Sequence, residues 1–441
     1  MYCGNECIEK SELLMKVLVV GSGGREHALV WKLSRDREVE SIVCCPGNPG
    51  IAELASCLPV NADDAPGILA TCRDNTIDLV VLGPEEPIVT GVADWLRANG
   101  VIVFGPSREA AQLEGSKAFA KLFMREHDIP TADFEIFDSY EEASRYVCGL
   151  DRSVVVKADG LARGKGVMVC EGGSEADAAL REIMLDRKFG AAGDRVIVED
   201  CLCGEEISVM AICDGKSYVL LPCSQDHKRV FEGDEGPNTG GMGACCPVPP
   251  IDEDLLDVVE SRIIGRVIEG MAEAGCPYTG VLYVGLMLTP EGPKVLEFNC
   301  RLGDPEAQAV LPTCNFELAE LLREAVEGEF NRKERIEAAS NSVCVVACSG
   351  GYPGDYETGK HIVGLEELKQ IEGVIVFHAG TKEERGRLVT AGGRVLGVVG
   401  VMPTLSEAIA RAYEAVGILD FEGIQYRRDI GAKALRRARS K

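Results

Sequence analysis

The sequence has a deficit of positive charge, few aromatic residues and no long hydrophobic run. Its 441 residues include 46 Lys and Arg against 71 Asp and Glu, which gives a formal net charge of -25. An acidic surface repels nucleic acid and anionic membranes, so neither is expected as a partner. No run approaches the ~18 apolar residues of a membrane-spanning helix. Residues 1–14 have no apolar core, so we expect a disordered N-terminal extension rather than a signal peptide.

The nineteen cysteines lack the spacing of a metal site or of a disulfide scaffold. No C-x-x-C pair occurs, and the chain is far longer than the small secreted domains that depend on disulfides. Cys201 and Cys203 are one residue apart, but no second Cys or His cluster accompanies them. We therefore expect reduced, mostly buried thiols in a cytoplasmic protein.

The first glycine turn lacks the third glycine of a dinucleotide-binding fingerprint. In VVGSGGREHAL that place is taken by Glu26, and the second predicted strand ends in PGNPG rather than in an acidic residue. A nicotinamide oxidoreductase is therefore the weaker interpretation, although it stays open. The turn Gly21–Gly24 precedes a predicted helix, whose N-terminus suits a phosphate or another polar group. A tight strand–helix turn without a ligand is the structural alternative.

Strands and helices alternate from Met15 to about Gly115, which predicts a doubly wound parallel sheet. Such sheets bind ligands beyond the carboxyl ends of their strands, here predicted at Lys16–Val20, Ser41–Cys45, Asp78–Leu82 and Val101–Phe104. In the mixed region that follows, Ser139 and Glu142 predict a capping box at a helix start. The chain is thus predicted to be α/β and multi-domain. Its predicted parts are an extension (1–14), an N-terminal Rossmann-like domain (15–115), a central α+β domain (116–340) and a C-terminal β-rich domain (341–441).

Residues 154–169, VVVKADGLARGKGVMV, hold positive charge around a glycine-rich bend between two predicted strands. The bend combines glycines that allow close backbone approach with cations that favour an anion: Gly160, Gly164 and Gly166, and Lys157, Arg163 and Lys165. It is not the common phosphate loop, because Lys165 is followed by glycine rather than by Ser or Thr. A basic hairpin turn that faces water is the alternative.

The segment KVLEFNCRLGDPE combines a predicted strand with several polar side chains. Glu297 and Asn299 are two residues apart, so both side chains leave the same face, while Phe298 points into a core. Two hard oxygen ligands on one face suit Mg²⁺ that bridges nucleotide phosphates. Arg301 and Asp304 follow where the strand ends. A solvated strand end is the alternative, but inward-facing polar groups are costly without a partner.

Two further polar segments could contact a nucleotide or a reacting group. VIVEDCLCGEEISV clusters Glu199, Glu205 and Glu206, and a carboxylate there could accept ribose hydroxyls while the backbone of Asp200–Leu202 contacts a purine edge. A plain acidic hairpin explains these residues equally well. SQDHKR, which contains Asp226, is charge-dense after a strand and could equally be a solvated loop.

Taken in order, these segments resemble the ATP-grasp superfamily. The motifs GSGGREHAL, PGN, GPE, EGSKAF, KADGLARGKGV, SQDHKR, GPNTGGMGA, EFNCRLGDPE, GGYPGDY and FHAGT resemble the phosphoribosylamine–glycine ligase (glycinamide ribonucleotide synthetase) family over nearly the whole chain from Met15. The resemblance implies a central ATP-grasp domain with a mobile lid at about 137–204. It implies ATP-dependent ligation of glycine to 5-phosphoribosylamine through glycyl phosphate, in purine biosynthesis, by a monomer or weak homo-oligomer. Another ATP-grasp carboxylate–amine ligase is the alternative.

The same resemblance assigns roles to individual residues. ATP is assigned to Lys117, Lys157, Gly160, Gly164, Lys165, Gly166, Glu199, Leu202 and Glu206, and Mg²⁺ or Mn²⁺ to Glu297 and Asn299. Phosphoribosylamine is assigned to Gly23, Gly24, Gly47, Asn48, Gly83, Pro84 and Glu85. Glycine or the reacting phosphoryl group is assigned to Asp226, Arg301 and Asp304. The chain departs from the pattern at Arg163, where the family usually has a small residue, and at Gly285, where many ATP-grasp enzymes place a second metal-binding carboxylate.

Overall fold

A computed structural model describes residues 14–162, 165–248, 251–330 and 334–439. The predicted extension (except residue 14) and two residues of the glycine-rich bend, Arg163 and Gly164, lie outside these ranges. Within the described ranges, no helix is long and apolar enough to cross a membrane. The cysteines described there are free thiols, and most of them are buried, as predicted.

The N-terminal part forms the predicted doubly wound parallel sheet, with strand order β3-β2-β1-β4-β5. Its strands are β1 (Met15–Gly21), β2 (Val39–Pro46), β3 (Ser56–Cys57), β4 (Leu79–Leu82) and β5 (Val103–Phe104). Its helices are α1 (Gly24–Leu33), α2 (Ala65–Asp74), α3 (Glu85–Thr90), α4 (Val92–Ala98) and α5 (Gln112–Gly115). Val17 and Val19 pack into one hydrophobic core, and Leu18 and Val20 pack into another on the opposite face. A sheet covered on both faces explains the continuous apolar runs of its strands.

A small antiparallel sheet with order β6-β9-β7-β8 has its own hydrophobic core. Its elements are β6 (Phe134–Phe137), α7 (Tyr140–Val147), β7 (Val154–Ala158), β8 (Val167–Cys170), α8 (Gly173–Leu180) and β9 (Val196–Asp200). We call this unit the lid sheet. Ser139 precedes α7 as expected, but the predicted capping box is wrong. The Ser139 hydroxyl donates to Glu141 Oε2 at 2.9 Å instead of accepting a backbone N–H.

A larger sheet has the order β17-β16-β10-β11-β18. Its strands are β10 (Glu205–Asp214), β11 (Tyr218–Leu220), β16 (Thr279–Thr289), β17 (Gly292–Asn299) and β18 (Glu334–Arg335). The helices of this region are α6 (Lys117–Glu126), α9 (Glu253–Val259), α10 (Gly265–Glu273), α11 (Glu306–Val310) and α12 (Leu318–Glu327). The core of this region merges with one face of the N-terminal sheet, so the two units pack together. Lys157 of the lid sheet donates to the Leu296 carbonyl on β17, and we call the region where the lid sheet and the larger sheet meet the cleft.

The C-terminal sheet has the order β12-β15-β19-β23-β20. It contains β19 (Asn341–Cys348), β20 (Val374–His378) and β23 (Arg394–Met402), extended by β12 (Gln225–Asp226) and β15 (Gly243–Cys246) from the central region. Two hairpins are formed by β13 (Arg229–Phe231) with β14 (Glu235–Asn238) and by β21 (Thr381–Glu384) with β22 (Arg387–Thr390). The helices are α13 (Leu365–Leu368), α14 (Leu405–Val416) and α15 (Ala432–Arg439). The predicted β-rich character of this part is confirmed.

Candidate active site

Glu26 braces two of the turns predicted to bind substrate. The Gly23 N–H donates to Glu26 Oε2 at 2.6 Å. A Cβ atom at Gly83 would lie 2.3 Å from Glu26 Oε1, and one at Gly21 would lie 2.4 Å from Glu26 Cγ. These glycines at the ends of β1 and β4 therefore make room for a buried carboxylate. Glu26, which replaces the third glycine of the dinucleotide-binding fingerprint, therefore has a structural role at this site.

Asp304 lies against the turn at the start of α1. Cβ atoms at Gly23 and Gly24 would lie 3.5 and 3.6 Å from its carboxylate oxygens, and the Arg25 N–H donates to Asp304 Oδ2 at 3.4 Å. Burial would raise the pKa of Asp304, but the guanidinium groups of Arg394 and Arg25 hold it below its usual value. The structure thus brings a charged Asp304 together with the predicted substrate glycines.

The loop after β2 lies beside the same turn, and the side chain of Asn48 fixes it there. The Asn48 amide donates to the carbonyls of Ser22 and His378, each at 2.9 Å, and Asn48 Oδ1 accepts from Ile51 N–H at 2.9 Å. Gly47 has a φ angle of 76°, in the left-handed region that favours glycine. Because these bonds occupy the Asn48 amide, we expect the backbone of this loop to be the part that meets a ligand.

Arg301 links the turn after β4 to the end of β17. Pro84 and Glu85 begin α3, and Arg301 Nε lies 3.4 Å from Glu85 Oε2. Arg301 Nη2 lies 3.1 Å from Glu114 Oε1 and donates to Asn299 Oδ1 at 3.3 Å. Burial would raise the pKa of Glu85, but Arg301 lowers it below its usual value, so this buried pair is ionised. Arg301 therefore joins a predicted substrate turn to a predicted metal ligand.

Glu297 and Asn299 have the geometry that the sequence predicted for them. Both lie on β17, and Phe298 between them is 3% exposed in the core on the opposite face. Glu297 pairs across strands with Gly285, where a Cβ atom would lie 3.3 Å from Glu297 Cγ. Among the described residues, no group of three or more His, Cys, Asp or Glu side chains could hold a metal ion. The donor set fits a cation that takes two protein oxygens and the rest from phosphates or water.

Three lysines surround the carboxylate of Glu297. Lys228 Nζ lies 3.3 Å from Glu297 Oε1, and with Lys157 and Lys117 it lowers the pKa of Glu297 to about 2 against the effect of burial. Lys117 begins α6, and its ammonium donates to the Gly160 carbonyl at 3.1 Å. Three cations near one carboxylate can pair with an anionic ligand, while Lys157 and Lys228 also contact Glu199 and Glu206.

Glu199 is enclosed between two lysines rather than open to the cleft. It is 3% exposed, with Lys121 Nζ 2.5 Å from Oε2 and Lys157 Nζ in contact with Oε1. Burial would raise the pKa of Glu199, but Lys157 and Lys121 hold it below its usual value. Lys157 also donates to the Leu296 carbonyl at 3.1 Å, which ties the lid sheet to β17. The carboxylate of Glu199 thus positions the ammonium of Lys157.

Two lid glycines are required by close packing. A Cβ atom at Gly160 would lie 2.9 Å from Ala192 Cβ, and one at Gly166 would lie 2.7 Å from Ala162 Cβ. The Gly166 carbonyl accepts a hydrogen bond from Ala158 N–H at 2.9 Å, which holds the base of the bend. These contacts give both glycines a structural role in the lid sheet.

Lys165 does not join the lysines around Glu297. Its ammonium donates to the Pro353 carbonyl in the C-terminal part, at 2.9 Å. Arg163 and Gly164, the other members of the bend assigned to ATP or expected to add charge, lie outside the described residues. The described part of the bend is thus attached to the C-terminal part across the cleft.

Glu206 and Leu202 lie where the lid sheet connects to the larger sheet. Leu202 is partly exposed in the connection between β9 and β10. Glu206 is exposed at the start of β10, and its Oε2 lies 3.4 Å from Lys228 Nζ. The cation at Glu297 therefore also contacts the carboxylate assigned to the ribose.

Asp226 is partly buried, near a second carboxylate, Glu306, that sequence reasoning missed. Its Oδ1 accepts from His227 N–H at 2.7 Å, and a Cβ atom at Gly241 would lie 2.8 Å from that oxygen. Burial and the nearby charge of Glu306 raise the pKa of Asp226 well above its usual value, while Lys228 opposes them. Asp226 lies on β12, the edge strand of the C-terminal sheet.

Arg394 brings the C-terminal sheet into the site. Its Nη1 donates to the carbonyls of Gly240 and Asp304, each at 2.5 Å, and lies 3.3 Å from Asp304 Oδ1. The only signal in the sequence is an arginine that follows two glycines at the start of an apolar strand. Arg394, Glu114 and Glu306 act through contacts between distant segments, which no local pattern reveals.

Three family models together match most of the chain. They are described as the N domain of phosphoribosylglycinamide synthetase (residues 15–114), its ATP-grasp (A) domain (115–307) and its C domain (342–433). The phosphoribosylamine–glycine ligase of Caldanaerobacter subterraneus subsp. tengcongensis is 46% identical over 418 residues, covering 95% of this chain and 100% of the relative. The human trifunctional purine biosynthetic protein adenosine-3 is 45% identical over 424 residues, covering 95% of this chain and 42% of that protein.

Solved structures show the same architecture. The phosphoribosylamine–glycine ligase of Thermotoga maritima has a TM-score of 0.82 at 35% identity, covering 94% of this chain and 99% of that one. The biotin carboxylase domain of Hydrogenobacter thermophilus 2-oxoglutarate carboxylase, solved with MgADP, has a TM-score of 0.72 at 16% identity. It covers 94% of this chain and 92% of that domain. At that identity the second likeness shows a shared fold alone.

Proposed function

The chain belongs to the phosphoribosylglycinamide synthetase family, and on that premise we propose the reaction that its cleft performs. It is a phosphoribosylamine–glycine ligase, which joins glycine to 5-phosphoribosylamine with conversion of ATP to ADP and phosphate in purine biosynthesis. The observation that supports this most is the convergence of Lys117, Lys157 and Lys228 on Glu297 beside the substrate turns. Family membership removes the nicotinamide oxidoreductase alternative.

The reaction proceeds in two steps that need positioning and charge neutralisation rather than a protein nucleophile. A glycine carboxylate oxygen attacks the γ-phosphorus of ATP, the bond to the β-phosphate oxygen breaks, and ADP leaves. The amine of phosphoribosylamine then attacks the carbonyl carbon of glycyl phosphate, the amine loses a proton, and phosphate leaves. Lys117 and Lys157 hold the phosphates, which neutralises charge on the transferring group.

Glu297 and Asn299 would hold Mg²⁺ or Mn²⁺ against the ATP phosphates. Such an ion supplies Lewis-acid neutralisation of phosphate charge when it is bound. Glu297 is suited to this task because its pKa of about 2 keeps it ionised at neutral pH. Glu206 would accept the ribose hydroxyls, Leu202 would contact the adenine, and the lid bend with Gly160, Lys165 and Gly166 would cover the phosphates.

The turns of the N-terminal sheet would bind phosphoribosylamine. They are Gly23–Gly24 at the start of α1, Gly47–Asn48, and Gly83–Pro84–Glu85 at the start of α3. Two of these turns open a helix, and helix N-termini favour phosphate. Asp304 and Arg301 join these turns to β17. With Asp226 they would face glycine or the reacting phosphoryl group. We further propose a cytoplasmic monomer or weak homo-oligomer.

Omitting one substrate at a time tests this proposal. Purified protein is supplied with ATP, magnesium, glycine and freshly made phosphoribosylamine, and ADP release is measured. We expect sustained release of ADP only when all four components are present, and we expect manganese to substitute for magnesium. Equal turnover with alanine or aspartate in place of glycine would favour the alternative of another ATP-grasp carboxylate–amine ligase.

A further inference from the structure

The C-terminal segment returns to the central region after the C-terminal sheet is complete. Arg427 Nη1 donates to Asp234 Oδ1 at 3.0 Å, and Gly233 N–H donates to Asp429 Oδ2 at 2.9 Å. Gly431 N–H then reaches the His227 ring at 3.3 Å, one residue from Asp226. The segment therefore contacts residues 227–234 of the central region before α15 begins.

Arg437 on α15 makes the last of these contacts. Its Nη1 lies 2.7 Å from Glu205 Oε2, and the two side chains are 27% and 31% exposed. Glu205 Oε1 accepts from Gln225 Nε2 at 2.9 Å, and the same Gln225 amide donates to the Glu206 carbonyl at 3.1 Å. A continuous polar chain thus runs from the C-terminal helix to the backbone of Glu206.

Glu205 lies where the connection from the lid sheet enters the larger sheet. It is the first residue of β10, and residues 201–204 before it connect the lid sheet to the larger sheet. Glu205 and Glu206 are consecutive on a strand, so their side chains leave opposite faces. Arg437 therefore holds the strand from the face opposite to the one on which Glu206 meets Lys228.

We propose that Arg437 is a positioning residue of the nucleotide site, which acts through Glu205 on the strand end that carries Glu206. The inference rests on the proposed function, which places the ATP ribose at Glu206. A strand end beside a connection is free to shift unless something fixes it, and hydrogen bonds of a positioned carboxylate depend strongly on small shifts. The ion pair between Arg437 and Glu205 keeps the Glu206 carboxylate within contact of Lys228. The C-terminal helix α15 thereby contributes to ATP binding.

Three variants test the contribution of Arg437, and Glu205→Gln with the double variant then tests its partner. Arg437→Ala removes the contact, Arg437→Lys keeps the charge, and Arg323→Ala is the matched control. Arg323 forms an ion pair with Glu38, with 3.3 Å between Nη2 and Oε2. The two side chains are 28% and 25% exposed, close to the values for Arg437 and Glu205. That pair joins α12 to the N-terminal part, and α12 carries none of the residues assigned to ATP. The dissociation constant of ATP, the KM for each substrate, kcat and Tm are measured for all three.

We expect Arg437→Ala to raise the dissociation constant and the KM of ATP about twofold to fivefold, the scale of a partly exposed ion pair. The KM for glycine and kcat should stay within about twofold, because a positioning effect on the ribose contact weakens binding alone. Arg437→Lys should recover most of the affinity. Glu205→Gln should reproduce the alanine effect, and the double variant should be no weaker than either single variant.

Unchanged ATP affinity in Arg437→Ala, with a fall in Tm like that of Arg323→Ala, would overturn the proposal and leave a merely structural ion pair. Additive losses in the double variant would also overturn it. Failure of the proposed function is distinguishable, since it would be seen as absent turnover in the parent protein. ATP binding by parent and variants, measured directly, would still decide the role of Arg437.

Discussion

Lys228 and Glu297 form a salt bridge across the cleft, with 3.3 Å between Nζ and Oε1. The same ammonium lies 3.4 Å from Glu206 Oε2. One cation from the SQDHKR segment therefore contacts the carboxylate proposed to hold the metal and the carboxylate proposed to hold the ribose. The ammonium of Lys228 thus holds both carboxylates in place.

Replacing Glu297 by Gln should abolish most of the activity. The change removes a charge that is proposed to hold a cation against phosphoryl charge, and loss of one such contact lowers kcat by about 100- to 1000-fold. We expect a much smaller change in the free energy of unfolding. The control is Glu291→Gln on the same hairpin, a 75% exposed residue that pairs with Lys294 and should behave as the parent. Near-normal kcat of Glu297→Gln at saturating magnesium would show that Glu297 is structural.

Lys157 should contribute to both stability and ATP binding, and a second substitution separates the two. Lys157→Met leaves Glu199 buried with Lys121 alone, and breaking a buried pair in this way costs up to about 3–5 kcal/mol. Lys121→Met removes the other lysine from Glu199 and should cost similar stability, but only Lys157→Met should also weaken ATP binding. Urea unfolding and calorimetric titration measure the two quantities. Equal loss of ATP affinity in both variants would reduce Lys157 to a structural role.

A buried histidine pair should make the protein lose stability in mild acid. His378 N–H donates to His27 Nδ1 at 2.8 Å, so that nitrogen must be unprotonated. Burial and the neighbouring His378 lower the pKa of His27 from 6.5 to about 3, and burial lowers that of His378 from 6.5 to about 4. The unfolded chain therefore binds protons first, and stability falls as pH decreases from about 6.5 to about 4.

The variant His27→Asn isolates this effect. The Asn carbonyl can still accept the His378 N–H but does not titrate, so its unfolding free energy should depend less on pH over the same range. Each unit of pKa displacement corresponds to about 1.4 kcal/mol. The slopes are compared by urea unfolding at several pH values, since the absolute stability also changes with packing against Phe377. Parallel slopes of parent and variant would reject the role of the pair.

Local pattern was sufficient for much of the fold. The alternation of strands and helices predicted the parallel sheet, and the two-residue spacing of Glu297 and Asn299 predicted their shared face. Local sequence patterns failed where a contact with another residue determines the position of a side chain. Ser139 carried a helix-start signal, but its hydroxyl found Glu141 instead of the backbone. Position 26 lacks the glycine of the dinucleotide fingerprint because Glu26 packs against Gly83, in the turn that follows β4.

The site was predictable only in part for the same reason. Arg394 enters from the C-terminal sheet and pairs with Asp304, ninety residues earlier in the chain. The buried position of Glu114 is explained by its contact with Arg301. The buried position of Glu199 is explained by its contact with Lys121. Such pairs form when separate units pack together, and one sequence contains no periodic signal for them. The roles assigned to individual residues therefore stay predictions that ligand binding must test.

Transfer of oxygen from glycine to phosphate tests the central claim most directly. Glycine labelled with ¹⁸O in both carboxylate oxygens is supplied with ATP, magnesium and phosphoribosylamine, and the phosphate released is examined by mass spectrometry. Because glycyl phosphate carries a bridging oxygen from glycine, the account predicts one ¹⁸O atom in each phosphate and one in the amide of the product. Phosphate without ¹⁸O, released at the rate of product formation, would contradict activation of the glycine carboxylate by ATP.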